Sequence, residues 1–156
     1  MLPLSACESA PRVRPVKMGD VDTGAPSVEA VRRQLKGTWE LVTLELVSDG
    51  RKTPLTASGR LQYDEFGNMS MKGTVTGTQQ IDDGLLNITG QVAIDPVAHT
   101  IRFRAISADT ADERRIDPKL DAAHVRYYEF TPAGLTTSLK DAAGATTAVA
   151  TWKKVD

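Results

Sequence analysis

The sequence has few of the residues that build metal and redox sites. Its 156 residues include one cysteine, Cys7, and two histidines, His99 and His124. A single cysteine excludes an intrachain disulfide and a thiolate metal cluster, and two histidines are too few for a histidine-rich metal site. We therefore predict no metal site and no cofactor.

Strong charge of one sign and long apolar runs are also missing. The formal net charge is -1, so no overall basic field attracts nucleic acid, and we predict no nucleic-acid partner. No apolar stretch reaches the length of a membrane-spanning helix. Neither a Gly-x-Ser-x-Gly motif nor a glycine-rich phosphate loop before a helix occurs, and no catalytic residue is predicted.

Residues 1–26 mix Pro, Ser, Ala, Gly and charged residues without apolar periodicity. Such a segment buries too little surface to offset the entropy lost on ordering, so we predict a flexible tether. Within it, Leu4-Ser5-Ala6-Cys7 resembles the cleavage motif of a bacterial lipoprotein signal peptide. The resemblance implies that Cys7 is lipidated and that this lipid anchor holds a cell-envelope or periplasmic protein to a membrane. The alternative is a free cysteine on the tail of a cytoplasmic protein.

A short helix is predicted at the start of the folded domain, which we place at 27–156. Val28, Val31 and Leu35 are spaced by three and four residues and form one apolar face. Ser27 is a suitable N-cap and Gly37 a stop. The helix would close one end of the domain or pack on its side.

From Thr38 onward the apolar period changes to two, which predicts strands separated by turn signals. Asp49-Gly50 and Asp64 to Asn68 are two of these turns. Eight short strands with tight turns predict an all-β, eight-stranded antiparallel up-and-down barrel, whose closure removes exposed edges. The longer connections, 77–86 and 108–123, are where binding loops usually lie. The predicted strands cover 38–47, 59–63, 69–75, 87–95, 100–107, 124–131, 135–140 and 146–155.

Five short motifs, in order, resemble the bacterial lipocalin-like domain family over about Leu35 to Val155. They are Gly37-Thr38-Trp39, Gly59-Arg60-Leu61-Gln62-Tyr63, Gly67-Asn68-Met69-Ser70, Arg126-Tyr127-Tyr128-Glu129-Phe130 and Thr151-Trp152-Lys153-Lys154-Val155. The resemblance implies a lipocalin-like barrel in which Trp39 plugs one end and a basic residue packs on its ring. Arg126 is the first candidate for that residue and Lys153 the second. Trp39 and Arg126 would then stabilise the fold in preference to touching a ligand.

Alternation along the strands assigns side chains to the barrel interior. The predicted inward set is apolar, with two phenols, two thioethers and one cation, and suits a small apolar ligand with a polar or anionic end. The alternative is that these side chains fill the barrel completely. The inward set is Trp39, Leu41, Leu61, Tyr63, Met69, Met71, Phe103, Arg126, Tyr128 and Leu139, and the predicted ligand-binding residues are Trp39, Tyr63, Met69, Met71, Phe103, Arg126 and Tyr128.

The sequence favours a module that binds or carries a small hydrophobic molecule. One alternative is a cyclase or isomerase that works inside the barrel, and another is a packed barrel that acts as a protein-interaction module. Glu45 bears on this choice because the alternation puts it on the face of Trp39. It would either pair with Arg126 inside the barrel, which favours an enzyme, or lie in water at the rim.

Overall fold

A computed structural model describes residues 27–76, 86–106 and 125–156. The chain forms a closed antiparallel barrel in which each strand pairs with the next and the last pairs with the first, so the predicted eight-stranded up-and-down barrel with a short helix is confirmed. Cys7, the predicted tether and His124 lie outside the described residues. The elements are α1 (Val28–Leu35), β1 (Gly37–Ser48), β2 (Arg51–Tyr63), β3 (Asn68–Thr76), β4 (Ile88–Asp95), β5 (Thr100–Ile106), β6 (Val125–Thr131), β7 (Gly134–Lys140) and β8 (Thr146–Lys154).

Helix α1 covers the end of the barrel at which β1 begins, which we call the closed end. Its N-cap is Ser27, whose hydroxyl accepts a 3.1 Å hydrogen bond from the Ala30 amide. Val31 and Leu35 are buried in the core. The Leu35 carbonyl accepts a 2.9 Å hydrogen bond from Trp39 Nε1, which joins the end of the helix to the first strand. The apolar face predicted from the sequence therefore seals one end of the barrel.

Strand β2 is much longer than the predicted 59–63. It begins at Arg51, and its first four residues are all exposed. Within the described residues this part pairs only with β1, because the pairing of β2 with β3 starts at Thr56. A proline is tolerated where a strand has a neighbour on one side only, which is the position of Pro54. The missing apolar alternation and the proline explain why the sequence underestimated the strand.

A β-bulge in β1 changes which side chains face inward. Leu41 pairs with Trp152 and Thr43 with Thr151, so Val42 is an extra residue opposite β8. An extra residue breaks the two-residue alternation of the faces. Trp39 and Leu44 are both buried as a result, although their spacing is odd, and Val42 is 57% exposed. The prediction that Glu45 shares the face of Trp39, opposite Leu44, is therefore wrong.

Two glycines let β2 and β3 approach each other closely. Gly59 and Gly73 are directly paired. A Cβ atom added at Gly73 would lie 2.6 Å from the Ser58 carbonyl oxygen and 3.0 Å from Leu86 Cδ1. Leu86, which is 3% exposed, thus packs in the space that a side chain at Gly73 would need.

Candidate functional site

Large side chains fill the half of the barrel next to α1. Trp39, Leu61, Tyr63 and Met69 are all at most 4% exposed there. Their positions follow from the pairing, because Gly37 at the start of β1 faces Tyr63 at the end of β2, and Tyr63 faces Met69 at the start of β3. This half of the barrel is packed.

The opposite end, which we call the open end, is where β1 passes into β2 and β7 into β8. Strands β3 and β5 also end there, and β4 and β6 begin there. Apolar side chains on the inward face stay only half-buried at this end, and we call them the mouth. Three of them pack against the core. The mouth consists of Leu46, Leu55, Ala57, Val75 and Leu139.

A small cavity lies inside the open half. Its volume is about 10 Å³, which is close to the space that one water molecule needs. Ala148 and Ala150 contribute to it because they place only methyl groups on the inward face of β8. The lining residues are Leu44, Met71, Arg126, Thr137, Ser138, Leu139, Ala148 and Ala150.

Arg126 is the charged residue of this cavity. It is the second residue of β6 and is 3% exposed. Burial lowers the pKa of its guanidinium to about 10, so the side chain keeps its charge at neutral pH. A buried charge is expensive unless it is hydrogen-bonded. The fold thus maintains a cation in an interior that is otherwise largely apolar.

Thr137 supplies a hydroxyl to the same cavity. It is 4% exposed, and its Oγ1 accepts a 2.9 Å hydrogen bond from Trp152 Nε1. Trp152 is fully buried, at 0% exposed. A buried indole N–H needs an acceptor, and the pairing of Thr137 with Ala150 beside Trp152 provides one. The indole therefore fixes the orientation of the hydroxyl.

The seven residues predicted to bind a ligand are all buried, but the structure does not bring them together at one cavity. Met71 and Arg126 line it. Trp39, Tyr63 and Met69 belong to the packed half near α1. Phe103 and Tyr128 are buried in the core without lining the cavity.

The basic residue beside Trp39 is Lys154, so the prediction of Arg126 or Lys153 is wrong. Lys154 Nζ lies 5.3 Å from the centre of a Trp39 ring, within the range of a cation–π contact. Lys154 is the direct partner of Trp39 across β1 and β8. Lys153 pairs with Glu40, next to Trp39, and Arg126 lines the cavity in the open half.

The two phenols predicted inside the barrel differ in their surroundings. Burial raises the pKa of Tyr63, and the charge of Arg32 in α1 opposes that shift. Its hydroxyl has no hydrogen-bond partner within the described part of the chain. The ring of Tyr128 stacks on His99 with 5.5 Å between centroids, and burial is the main reason that its pKa is raised.

Glu45 pairs with Lys52, not with Arg126. The Glu45 carboxylate lies 3.6 Å from Lys52 Nζ, and its side chain is 30% exposed. The bulge at Val42 turns Glu45 outward, where it meets the β2 arm of the first hairpin. Glu45 therefore lies on the outer face of the barrel, and a pair of Glu45 with Arg126 is not among the contacts of the described residues.

Several residues of the cavity were not predicted. Trp152, Ala150 and Ala148 alternate on β8, and this pattern could have identified the inward face of that strand. Thr137 alternates with Leu135 and Leu139 on β7 in the same way. Leu44 could not be found by alternation, because the bulge lies between it and Trp39.

The outer surface of the barrel also carries a polar groove of about 660 Å³. Arg102, Arg104 and Lys140 lie along it, and Lys140 Nζ sits 4.0 Å above the Tyr127 ring. Asp95 and Asp141 balance part of this charge, and each caps its own turn through backbone amides. Acidic and basic residues line the groove together with apolar ones such as Ile94 and Val125, and it lies outside the barrel interior.

Comparison with family models, curated proteins and solved structures finds no match for this chain. Over the described ranges, no helix is long and apolar enough to cross a membrane. The same ranges contain no group of three or more His, Cys, Asp or Glu side chains that could hold a metal ion.

Proposed function

We propose that this protein is a binding module that holds a small apolar molecule in the open half of its barrel. The observation that carries the proposal is the asymmetry of the interior. Helix α1 and Trp39 seal one end, whereas the other end combines a half-buried apolar mouth with a cavity below it. Small-molecule sites are typically concave, apolar and supplied with a few polar groups.

A ligand would enter through the mouth and contact Leu46, Leu55 and Val75. Removing these side chains and the ligand from water would supply most of the binding free energy. The cavity itself is small, so the innermost part of the ligand would displace Met71 and Leu139. Methionine adapts to this because its thioether chain is flexible and polarizable.

Native mass spectrometry of the full chain, purified gently from its source cells, tests this proposal. We expect a discrete added mass that is lost on denaturation, and binding of added 1-decanol. Ala148→Leu would fill the cavity and reduce both. Val149→Leu adds a methylene group on the outward face of the same strand and is the matched control. A mass equal to that of the protein alone, together with no binding of decanol, would overturn the proposal.

A packed barrel that acts through its surface is the second candidate, favoured by the small volume of the cavity. Phe66 and Val97 are 78% and 86% exposed on turns at the closed end, and exposed apolar groups can mark an interaction site. Replacing both by serine would then abolish capture of a partner protein without unfolding the barrel. A partner captured equally by the double variant would speak against this surface.

The lipid anchor predicted at Cys7 belongs to the proposal as the means of holding the barrel at a membrane. Metabolic labelling with an alkyne fatty acid tests it in the source cell. We expect label on the wild-type chain and none on Cys7→Ser, with decanol binding unchanged. An unlabelled wild-type chain would favour the free cysteine.

A further inference from the structure

We infer that the molecule held in the barrel is an amphiphile whose carboxylate binds Arg126 and Thr137 and whose apolar tail points to the mouth. This inference rests on the proposed function and names the chemical class of its ligand. It follows from the charge of the cavity, the direction of its donors and its size.

The cavity is built to receive negative charge. Arg126 is a cation at neutral pH, and none of the described residues that line the cavity is an acid. A guanidinium carries five N–H donors, more than one neighbouring group can accept. Arg126 can therefore bind a ligand oxygen while it keeps its contacts within the protein. In a buried, largely apolar setting, such a charge-assisted hydrogen bond is stronger than it would be in water.

Thr137 adds a second donor of defined direction. Its oxygen accepts the hydrogen bond from Trp152 Nε1, and this is its one side-chain hydrogen bond within the described part of the chain. A hydroxyl that accepts in this way still has its own proton to donate. Because Arg126 and Thr137 line the same cavity, both donors can serve one anionic group.

The size of the cavity favours a carboxylate over a phosphate. About 10 Å³ is available before any side chain moves. A carboxylate is planar, carries one charge and matches the fork of a guanidinium through two parallel hydrogen bonds. A phosphate is larger and carries more charge. It would have to displace the lining side chains further, and it would lose more hydration on entering the cavity.

The positions of the two kinds of residue set the orientation of the ligand. Leu139 belongs both to the cavity and to the mouth, so the two are continuous. Leu46 and Leu139 flank Ala148 across β1, β8 and β7. An alkyl chain that leaves the carboxylate would therefore run past Ala148 and Leu139 towards the half-exposed leucines. This arrangement suits a medium-length fatty acid or a similar monocarboxylate.

Titration of the full chain with decanoate and 1-decanol, followed by calorimetry and by tryptophan fluorescence, tests the inference. The two probes share the tail and differ in the head group. We expect decanoate to bind about 10- to 100-fold more tightly, which corresponds to one or two charge-assisted hydrogen bonds. Arg126→Met should remove this preference, and Thr137→Val should reduce it several-fold. Thr136→Val, on the outward face of the same strand, is the matched control.

The outcomes separate this inference from the proposed function. Equal binding of decanoate and decanol would overturn the inference that the head group is a carboxylate. It would not affect the proposal that the barrel binds a small apolar molecule. A preference for decanoate that survives in Arg126→Met would overturn the assignment to Arg126. Binding of neither probe would overturn the proposed function itself. If Arg126→Met does not fold, as judged by circular dichroism, Arg126→Lys replaces it in the test. Lysine keeps the positive charge but cannot make two parallel hydrogen bonds to a carboxylate. We then expect a partial loss of the preference, and full retention would overturn the two-bond geometry.

Discussion

Trp152 and Thr137 form a buried hydrogen bond of 2.9 Å between neighbouring strands at the wall of the cavity. The bond satisfies an indole N–H that has no access to water, and it places a hydroxyl beside Arg126. One contact therefore serves both the packing of the barrel and the polarity of its cavity.

Removing this contact should destabilise the barrel measurably. Thr137→Val keeps the shape of the side chain but leaves the Trp152 N–H buried without its acceptor. We expect the free energy of unfolding to fall by about 1–3 kcal/mol and the tryptophan emission to change. Urea denaturation followed by fluorescence measures both. Thr136→Val should stay within about 0.5 kcal/mol of wild type, and an equal loss in the two variants would contradict the assigned role of the bond.

The buried charge of Arg126 should lower stability. Because the pKa of Arg126 is lowered to about 10 in the folded protein, the unfolded chain binds the proton more tightly. The destabilisation is complete below pH 10 and is relieved as the pH rises from there towards the ordinary pKa of arginine. We expect the desolvation that Arg126→Met relieves to add about 1–3 kcal/mol to the free energy of unfolding, less the contribution of the contacts that Arg126 makes within the protein. Because Arg126 stays charged below pH 10, its titration should add no pH dependence to this gain between pH 6 and pH 9. Urea denaturation at both pH values checks this, and a less stable variant would show that Arg126 holds the fold together.

The close approach of β2 and β3 should make Gly73 less replaceable than Gly59. A Cβ at Gly73 would lie 2.6 Å from a backbone oxygen, whereas the nearest atom to a Cβ at Gly59 is 3.1 Å away. We expect Gly73→Ala to cost about 1–3 kcal/mol and Gly59→Ala clearly less. Thermal unfolding of the two variants side by side tests the order. The reverse order would contradict the closer backbone contact at Gly73.

Asp156 should contribute stability that is lost in acid. Its carboxylate accepts a hydrogen bond from the Thr38 amide, and this contact is the main reason that its pKa lies below the ordinary aspartate value. A lowered pKa means that the contribution is present above the unfolded pKa and disappears as the pH falls through the folded value. Asp156→Asn should therefore flatten the acid side of the stability curve. Glu129→Gln, which removes a carboxylate at an exposed position of β6, is the control, and equal curves for the two variants would contradict the role of the Thr38 contact.

The sequence predicts the architecture well because tight turns and two-residue alternation are local signals. Leu61, Met69, Phe103 and Tyr128 face inward as alternation requires. The failures arise where a non-local event overrides the pattern. The bulge at Val42 reverses the faces of β1 and removes Glu45 from the interior.

Residue chemistry identified Arg126 as an interior cation, but it could not place it in the barrel. The register of the strands decides which residues become neighbours. Lys154 pairs with Trp39, whereas Arg126 lines the cavity together with Thr137, Ala148 and Ala150. The cavity lies where those two alanines place only methyl groups on the inward face of β8. No single segment of the sequence carries that information.

The pairing of β1 with β8 has a consequence for how the chain folds. These strands come from opposite ends of the domain, so closing the barrel requires a contact of very high sequence separation, which slows folding. During synthesis β1 emerges first and must wait for β8 with one edge unpaired. An unpaired strand edge is a template for association with other chains. The newly made chain is therefore most vulnerable to aggregation in the interval before its last strand leaves the ribosome.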